Sequence, residues 1–135
     1  MSMLRVPQSY ANGELVIVID CADLDRSARF WCAVLGYAAA SPAGGRYRSL
    51  IPAGGQGIEV LLQRVADGKP AKNRLHLDLR TADLGAEVAR VLDLGASRLT
   101  TDPIVEYGWR WHILADPDGN EFCVLQPPAD GPAAT

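Results

Sequence analysis

The chain restarts itself partway along. Ala22-Asp23-Leu24 returns as Ala82-Asp83-Leu84, and Leu35-Gly36 returns as Leu94-Gly95, one residue out of step. Each tripeptide follows an apolar run, LVIVID at 15–20 and LHLDLR at 75–80, and each opens a stretch with apolar residues at helical spacing. A repeat of this kind constrains the fold more than any single motif, because each copy must be one supersecondary unit. Each half reads as a strand, a helix and then about three strands.

In the first half, the β-branched run at 15–20 predicts a strand. CADLDRSARFWCAVLG at 21–36 predicts a helix, with Asp23 or Asp25 as its N-terminal cap and Gly36 supplying the left-handed residue at its end. Ala28, Trp31, Val34 and Leu35 fall on one stripe that Phe30 widens, which marks a core-facing surface. Residues 37–56 are rich in Ala, Gly, Ser and Pro, with a short strand at Tyr47–Ile51, and GIEVLLQRV at 57–65 is the next strand. A polar connection, ADGKPAKN at 66–73, links the halves.

The second half predicts a strand at 75–80 and a helix within 81–96. Leu84, Val88, Val91 and Leu92 form the stripe of that helix, and Gly95 closes it. Ser97–Thr100 is a short strand candidate. WRWHIL at 109–114 and EFCVLQ at 121–126 are strands joined by ADPDGN, in which Asp116, Asp118 and Gly119 are turn chemistry. The expected organisation is one domain over 1–135, with module one at about 14–65, module two at about 74–127 and a loose tail at 128–135.

Composition removes several function classes. The net charge of −3 gives no electrostatic footprint for nucleic acid or an anionic membrane. The apolar runs are too short to span a bilayer, and the first residues carry no signal-peptide pattern. Cys21, Cys32 and Cys123 are odd in number and lack CxxC spacing, which favours reduced thiols and a cytoplasmic location.

Three stretches, DLDRSARFWCAVLGY at 23–37, NRLHLDLRTADL at 73–84 and DPDGNEFCVL at 116–125, resemble the vicinal oxygen chelate superfamily. That superfamily includes glyoxalase I, bleomycin-resistance proteins, fosfomycin-modifying enzymes and extradiol dioxygenases; the wording is most similar to its glyoxalase-like domain branch. The resemblance implies an α+β fold in which two βαβββ modules in tandem form a curled eight-stranded mixed sheet. This sheet is a cup with the helices outside and a small molecule within. It also implies a homodimer and, in metal-dependent members, one divalent cation held by the first and last strands of each module.

Carried onto this chain, the implied ligand positions are His76, seven residues before Asp83, and Val16, seven before Asp23. The last strands offer Cys123, three residues after Asn120, and Glu59, with Gln63 on the same face as Glu59. Val16 cannot coordinate and Cys123 replaces the usual Glu, so no conventional metal is expected. Strand alternation puts His76, Asp78 and Arg80 on one face and Leu75, Leu77 and Leu79 under the helix. Trp109 and Trp111, with Tyr107 two positions earlier, share a face that is either a stacking surface in the cup or core.

Phe122 and Val124 flank Cys123 on the opposite, buried face, and Cys123 itself reads as a small hydrophobe rather than a nucleophile. The candidate ligand-binding residues are therefore His76, Glu59, Gln63, Asp78, Trp109, Trp111 and Cys123. Two alternatives stand beside this reading. One is a metal-dependent lyase or dioxygenase using His76, Glu59 and Cys123 or Gln63, with Fe, Mn, Ni or Zn. The other is a ferredoxin-like βαββαβ dimerisation module, which two halves of four strands each would exclude.

Overall fold

The computed structural model describes residues 9–40, 45–66, 73 and 75–129. The chain divides into two compact units, Met1–Gly68 and Lys69–Thr135.

The first unit opens with a short antiparallel hairpin, β1 (Ser9–Tyr10) and β2 (Gly13–Glu14), which the sequence reading left unassigned. The repeat proper follows: β3 (Val16–Cys21), α1 (Leu24–Leu35), β4 (Tyr37–Ala39), β5 (Tyr47–Pro52) and β6 (Glu59–Arg64). The sheet order is β3-β6-β5-β4, with β3 parallel to β6 and the other pairs antiparallel. Ile19, Cys21, Val60, Leu62 and Leu50 are buried, as are Leu24, Ala28, Trp31 and Val34 of α1. Phe30 and Trp31 meet edge to face, 5.1 Å between ring centroids, so both aromatics are core as their spacing predicts.

The helix start is settled by hydrogen bonding. Asp23 accepts from the Arg26 amide at 3.0 Å, whereas Asp25 pairs with Arg48 at 3.0 Å. Gly36 ends the helix in the left-handed region, φ 72°, and its N–H bonds the Cys32 carbonyl.

The second unit repeats the plan: β7 (Leu77–Arg80), α2 (Leu84–Asp93), β8 (Ser97–Arg98), β9 (Ile104–Glu106), β10 (Trp109–Ala115) and β11 (Glu121–Gln126). Its sheet runs β7-β11-β10-β8, with β9 also paired to β10 and β7 parallel to β11. Leu84, Val88 and Val91 of α2 are buried, with Leu114, Phe122 and Val124 from the sheet. Asp83 caps α2 through the Ala86 amide, and Gln126 of β11 reaches back to accept from the Leu84 amide at 2.8 Å. This helix ends differently from the first: Leu94 is the cap in a right-handed conformation, and Gly95 follows it at φ 120°.

The architecture is α+β, two βαβββ units with four and five strands in their sheets, neither sheet closed. Two full βαβββ repeats rule out the ferredoxin-like alternative. The added ninth strand is β9. It folds back on β10 through Tyr107-Gly108, both at positive φ (52° and 83°), with Glu106 paired to Trp109. That is the signature of a two-residue type I′ hairpin. It places Tyr107 at the loop tip, 85% exposed, and so corrects the expectation that Tyr107 continues the tryptophan face.

The DPDGN turn is built around one buried carboxylate. Asp116 Oδ1 accepts from the Asp118 and Asn120 amides (2.9 and 2.8 Å), and its Oδ2 accepts from the Asn120 side chain at 3.0 Å. Gly119 adopts φ 86° and donates its N–H to the Asp116 carbonyl. The tail at 130–135 and most of the 66–73 connection lie outside the described residues.

Candidate functional site

Side-chain alternation sorts the second sheet into two faces. Asp78 pairs with Cys123 and Cys123 with Ile113; Arg80 pairs with Leu125 and Leu125 with Trp111. These residues and Trp109 therefore share one face. Leu79, Val124, His112, Leu114 and Phe122 occupy the other. A cleft beside α2 is lined by Arg110, His112 and Gln126 together with Val88 and Leu92, so that second face is the one α2 covers. The open question about the tryptophans is thereby decided: they stand on the face away from the helix.

On this open face lies a groove of about 260 Å³. Trp111, Ile113, Leu125 and Cys123 line it with apolar surface, and His76 and Asp78 line its polar side. His76 Nε2 is 3.1 Å from Asp78 Oδ1, with both side chains about half exposed (49% and 46%). Cys123 is 8% exposed. One nitrogen of His76, one oxygen of Asp78 and the Cys123 sulfur all lie within 4.8 Å of one another. Among the described residues this is a compact, chemically mixed cluster of one residue from β7, the residue just before that strand and one from β11.

Of the sequence candidates, His76, Asp78, Trp111 and Cys123 are brought together here. Trp109 is engaged by its neighbour instead, with the Arg80 guanidinium 5.0 Å from its ring centre. Glu59 and Gln63 belong to the first unit. There Glu59 accepts a 2.6 Å hydrogen bond from Ser49 Oγ, and Gln63 Nε2 lies 3.5 Å from the Tyr47 hydroxyl. Leu75, expected under the helix, is 89% exposed. Pairing with β11 begins only at Leu77, and alternation dictates nothing before the strand starts.

Ile113 and Leu125 were missed as groove residues, although both follow from continuing the alternation of Trp111 and Cys123. His112, the other histidine, has a structural place: it is 7% exposed and its Nδ1 lies 2.8 Å from Thr100 Oγ1. Burial holds its pKa below the ordinary imidazole value, and repulsion from Arg98 and Arg110 adds to this against the Thr100 backbone hydrogen bond and Asp102.

Residues 16–125 match the family model described as glyoxalase-like domain. The chain belongs to the glyoxalase-like domain family. Solved structures of similar fold include a glyoxalase/bleomycin resistance protein/dioxygenase from Nocardioides, 13% identical over 95% of this chain and 92% of that one, TM-score 0.69. FosX from Mesorhizobium loti is 17% identical over 90% of this chain and 97% of that one, TM-score 0.65. The Listeria monocytogenes FosX E126Q mutant, solved with Mn(II) and 1S,2S-dihydroxypropylphosphonic acid, is 16% identical over 85% and 90%, TM-score 0.67. At these identities the likeness is one of fold. No curated protein matches the sequence.

Strand register tests whether a shared family metal set fits this chain. In the second unit Asp78 pairs with Cys123; in the first, Val18, at the corresponding place before Asp23, pairs with Leu61. The first-unit counterparts of His76, Asp78 and Cys123 are thus Val16, Val18 and Leu61, none with a donor atom. Glu59 pairs with Val16, two residues short of the Cys123-equivalent position, and its carboxylate is already bonded to Ser49. A ligand set drawn from both modules does not fit these residues.

Proposed function

We propose that this glyoxalase-like protein binds a small, flat organic molecule on the open face of its second sheet, without the two-module metal set of its relatives. The observation that carries the proposal is the groove itself. It sets Trp111, Phe122, Ile113 and Leu125 beside the polar groups of His76, Asp78 and Glu121, the pattern of a small-molecule site. Its volume of about 260 Å³ falls below the roughly 300–1,000 Å³ of drug-sized sites, so the preferred ligand is about the size of one or two rings. Trp111 offers the stacking surface, and His76 and Asp78 offer a donor and an acceptor at one side. Sequestration of such a molecule, as in resistance proteins, is the role this arrangement supports.

The same proposal includes a single domain formed by both modules, a homodimer of the 14.5 kDa chain and a reducing compartment suited to three cysteines that form no disulfide. Light scattering at micromolar concentration is expected to return twice the chain mass. For the site, 1-naphthol is the probe. Its titration is expected to quench tryptophan fluorescence, with Trp111→Leu weakening binding by about tenfold, an aromatic contact being worth roughly 1 kcal/mol. Equal affinity in the wild type, Trp111→Leu and Ile113→Asp would remove the groove from the proposal.

A further inference from the structure

The cleft beside α2 lies on the opposite face of the second sheet from the groove and measures about 460 Å³. Arg98 stands across from Leu114, and Arg110 across from Gln126. Alternation therefore gathers both arginines, His112 and Gln126 on the face that α2 covers. Val88 and Leu92 of α2 and Pro103 add an apolar wall. Arg48, Arg80 and Arg90 are engaged by Asp25, Trp109 and Glu87. Among the described residues, neither Arg98 nor Arg110 has an ion-pair partner.

The first unit shows what fills the same place there. Arg48 stands across from Leu62 as His112 stands across from Val124, and Asp25 follows the cap Asp23 by two residues as Gly85 follows Asp83. In the first unit Arg48 and Asp25 form an ion pair at 3.0 Å that ties sheet to helix. In the second unit the carboxylate is gone, and Gly85 lines the cleft in its stead. A Cβ at Gly85 would meet only Asp83 Oδ1, at 3.8 Å, so the space for a side chain is there and unused.

We propose that this cleft binds a small organic anion, its carboxylate or phosphate held by Arg98 and Arg110 and its aliphatic body lying along Val88, Leu92 and Pro103. The ligand supplies the negative charge that Gly85 lacks. The site uses none of the groove's residues and stands apart from the reading of that groove.

A guanidinium presents a planar fork of donors that matches two oxygens of a carboxylate or phosphate. His112, 7% exposed, is held below its ordinary pKa by burial and by both guanidiniums, so at neutral pH it offers a hydrogen-bonding edge rather than a third charge. Asp83 also lines the cleft, but its Oδ1 is occupied by the Ala86 amide at the start of α2. Two positive charges therefore face one negative charge across the lining. The volume lies within the roughly 300–1,000 Å³ of small-molecule sites, which leaves room for an apolar body behind the charged group.

The test uses the full chain and octanoate, followed by the imidazole NMR signals. The chain has two histidines, His112 in the cleft and His76 in the groove. One octanoate per chain is expected, shifting the His112 signals and leaving those of His76 in place. Arg98→Gln and Arg110→Gln are each expected to weaken binding by about tenfold, as loss of a charge-assisted hydrogen bond does. Octanamide, which has no charge, and inorganic phosphate, which has no apolar body, are each expected to bind about tenfold more weakly than octanoate. Gly85→Asp returns the first unit's carboxylate to the cleft and is also expected to weaken octanoate by about tenfold. An acidic residue in the first turn suits a helix N-terminus, so this variant keeps its fold.

Circular dichroism checks each variant, and the octanamide comparison needs only the wild type. Octanamide binding as tightly as octanoate overturns the proposal, as does phosphate binding as tightly, or an affinity indifferent to Arg98→Gln, Arg110→Gln and Gly85→Asp. Shifts at His76 in place of His112 also overturn it. Because 1-naphthol binding is read through Trp111, the groove can fail while the cleft stands, and the cleft can fail while the groove stands.

Discussion

Single residues set the chemistry and much of the local order. Asp116 is the clearest case, a carboxylate 3% exposed that holds two amides and the Asn120 side chain. Asp116→Ala leaves those donors without their acceptor and is expected to cost roughly 2–3 kcal/mol, read as a lowered urea midpoint. His112 gives a pH dependence whose sign follows from its environment. Its folded pKa is depressed, so between the two pKa values the unfolded chain holds more protons than the folded one. The stability it confers is complete above its unfolded pKa of about 6.5. That stability is lost as pH falls through the lower folded value. Urea midpoints from pH 8 down to about 5 are expected to drop less in His112→Gln than in the wild type.

At the scale of elements, the two helices show how far local sequence reaches. The N-terminal cap of α1 was legible as Asp23 or Asp25, because a short acceptor beside the first free amides is a local requirement. Asp83→Ala is expected to destabilise by about 1 kcal/mol, measured by thermal melting. The assistance Gln126 gives to the same helix could not be read, since it comes from a strand forty residues on and depends on β11 lying beside α2. The strands at 121–126 and 109–114 were legible from their alternation, and β10 runs one residue further than expected. β1, β2, β4 and β9 were not legible, being two or three residues long and specified by pairing rather than by pattern. The Tyr107-Gly108 turn is the local device behind β9. Gly108→Ala, at φ 83° and with Pro128 about 3.0 Å from the added methyl, is expected to destabilise that hairpin.

For the whole molecule, the repeat determines the plan, and the differences between its copies set the lining of the groove in the second unit. A molecule held in the groove of the second unit binds only the folded chain, and a free concentration a hundred times the dissociation constant raises stability by about 2.7 kcal/mol. The melting temperature is then expected to rise by several degrees with saturating 1-naphthol in the wild type and by less in Trp111→Leu at the same concentration.

The sequence by itself determined the two βαβββ units, their helix caps, the aspartate-centred turn and the aim of Asp78 away from the helix, because propensity, capping and alternation act within a few residues of chain. It also showed that Val16 cannot be a ligand. Only the tertiary structure decided which face of β10 α2 covers. It also decided that Leu61 rather than Glu59 corresponds to Cys123, and that His76, Asp78 and Cys123 converge. These depend on strand register between residues some forty apart, and register is fixed by packing across the whole sheet rather than by any local stretch.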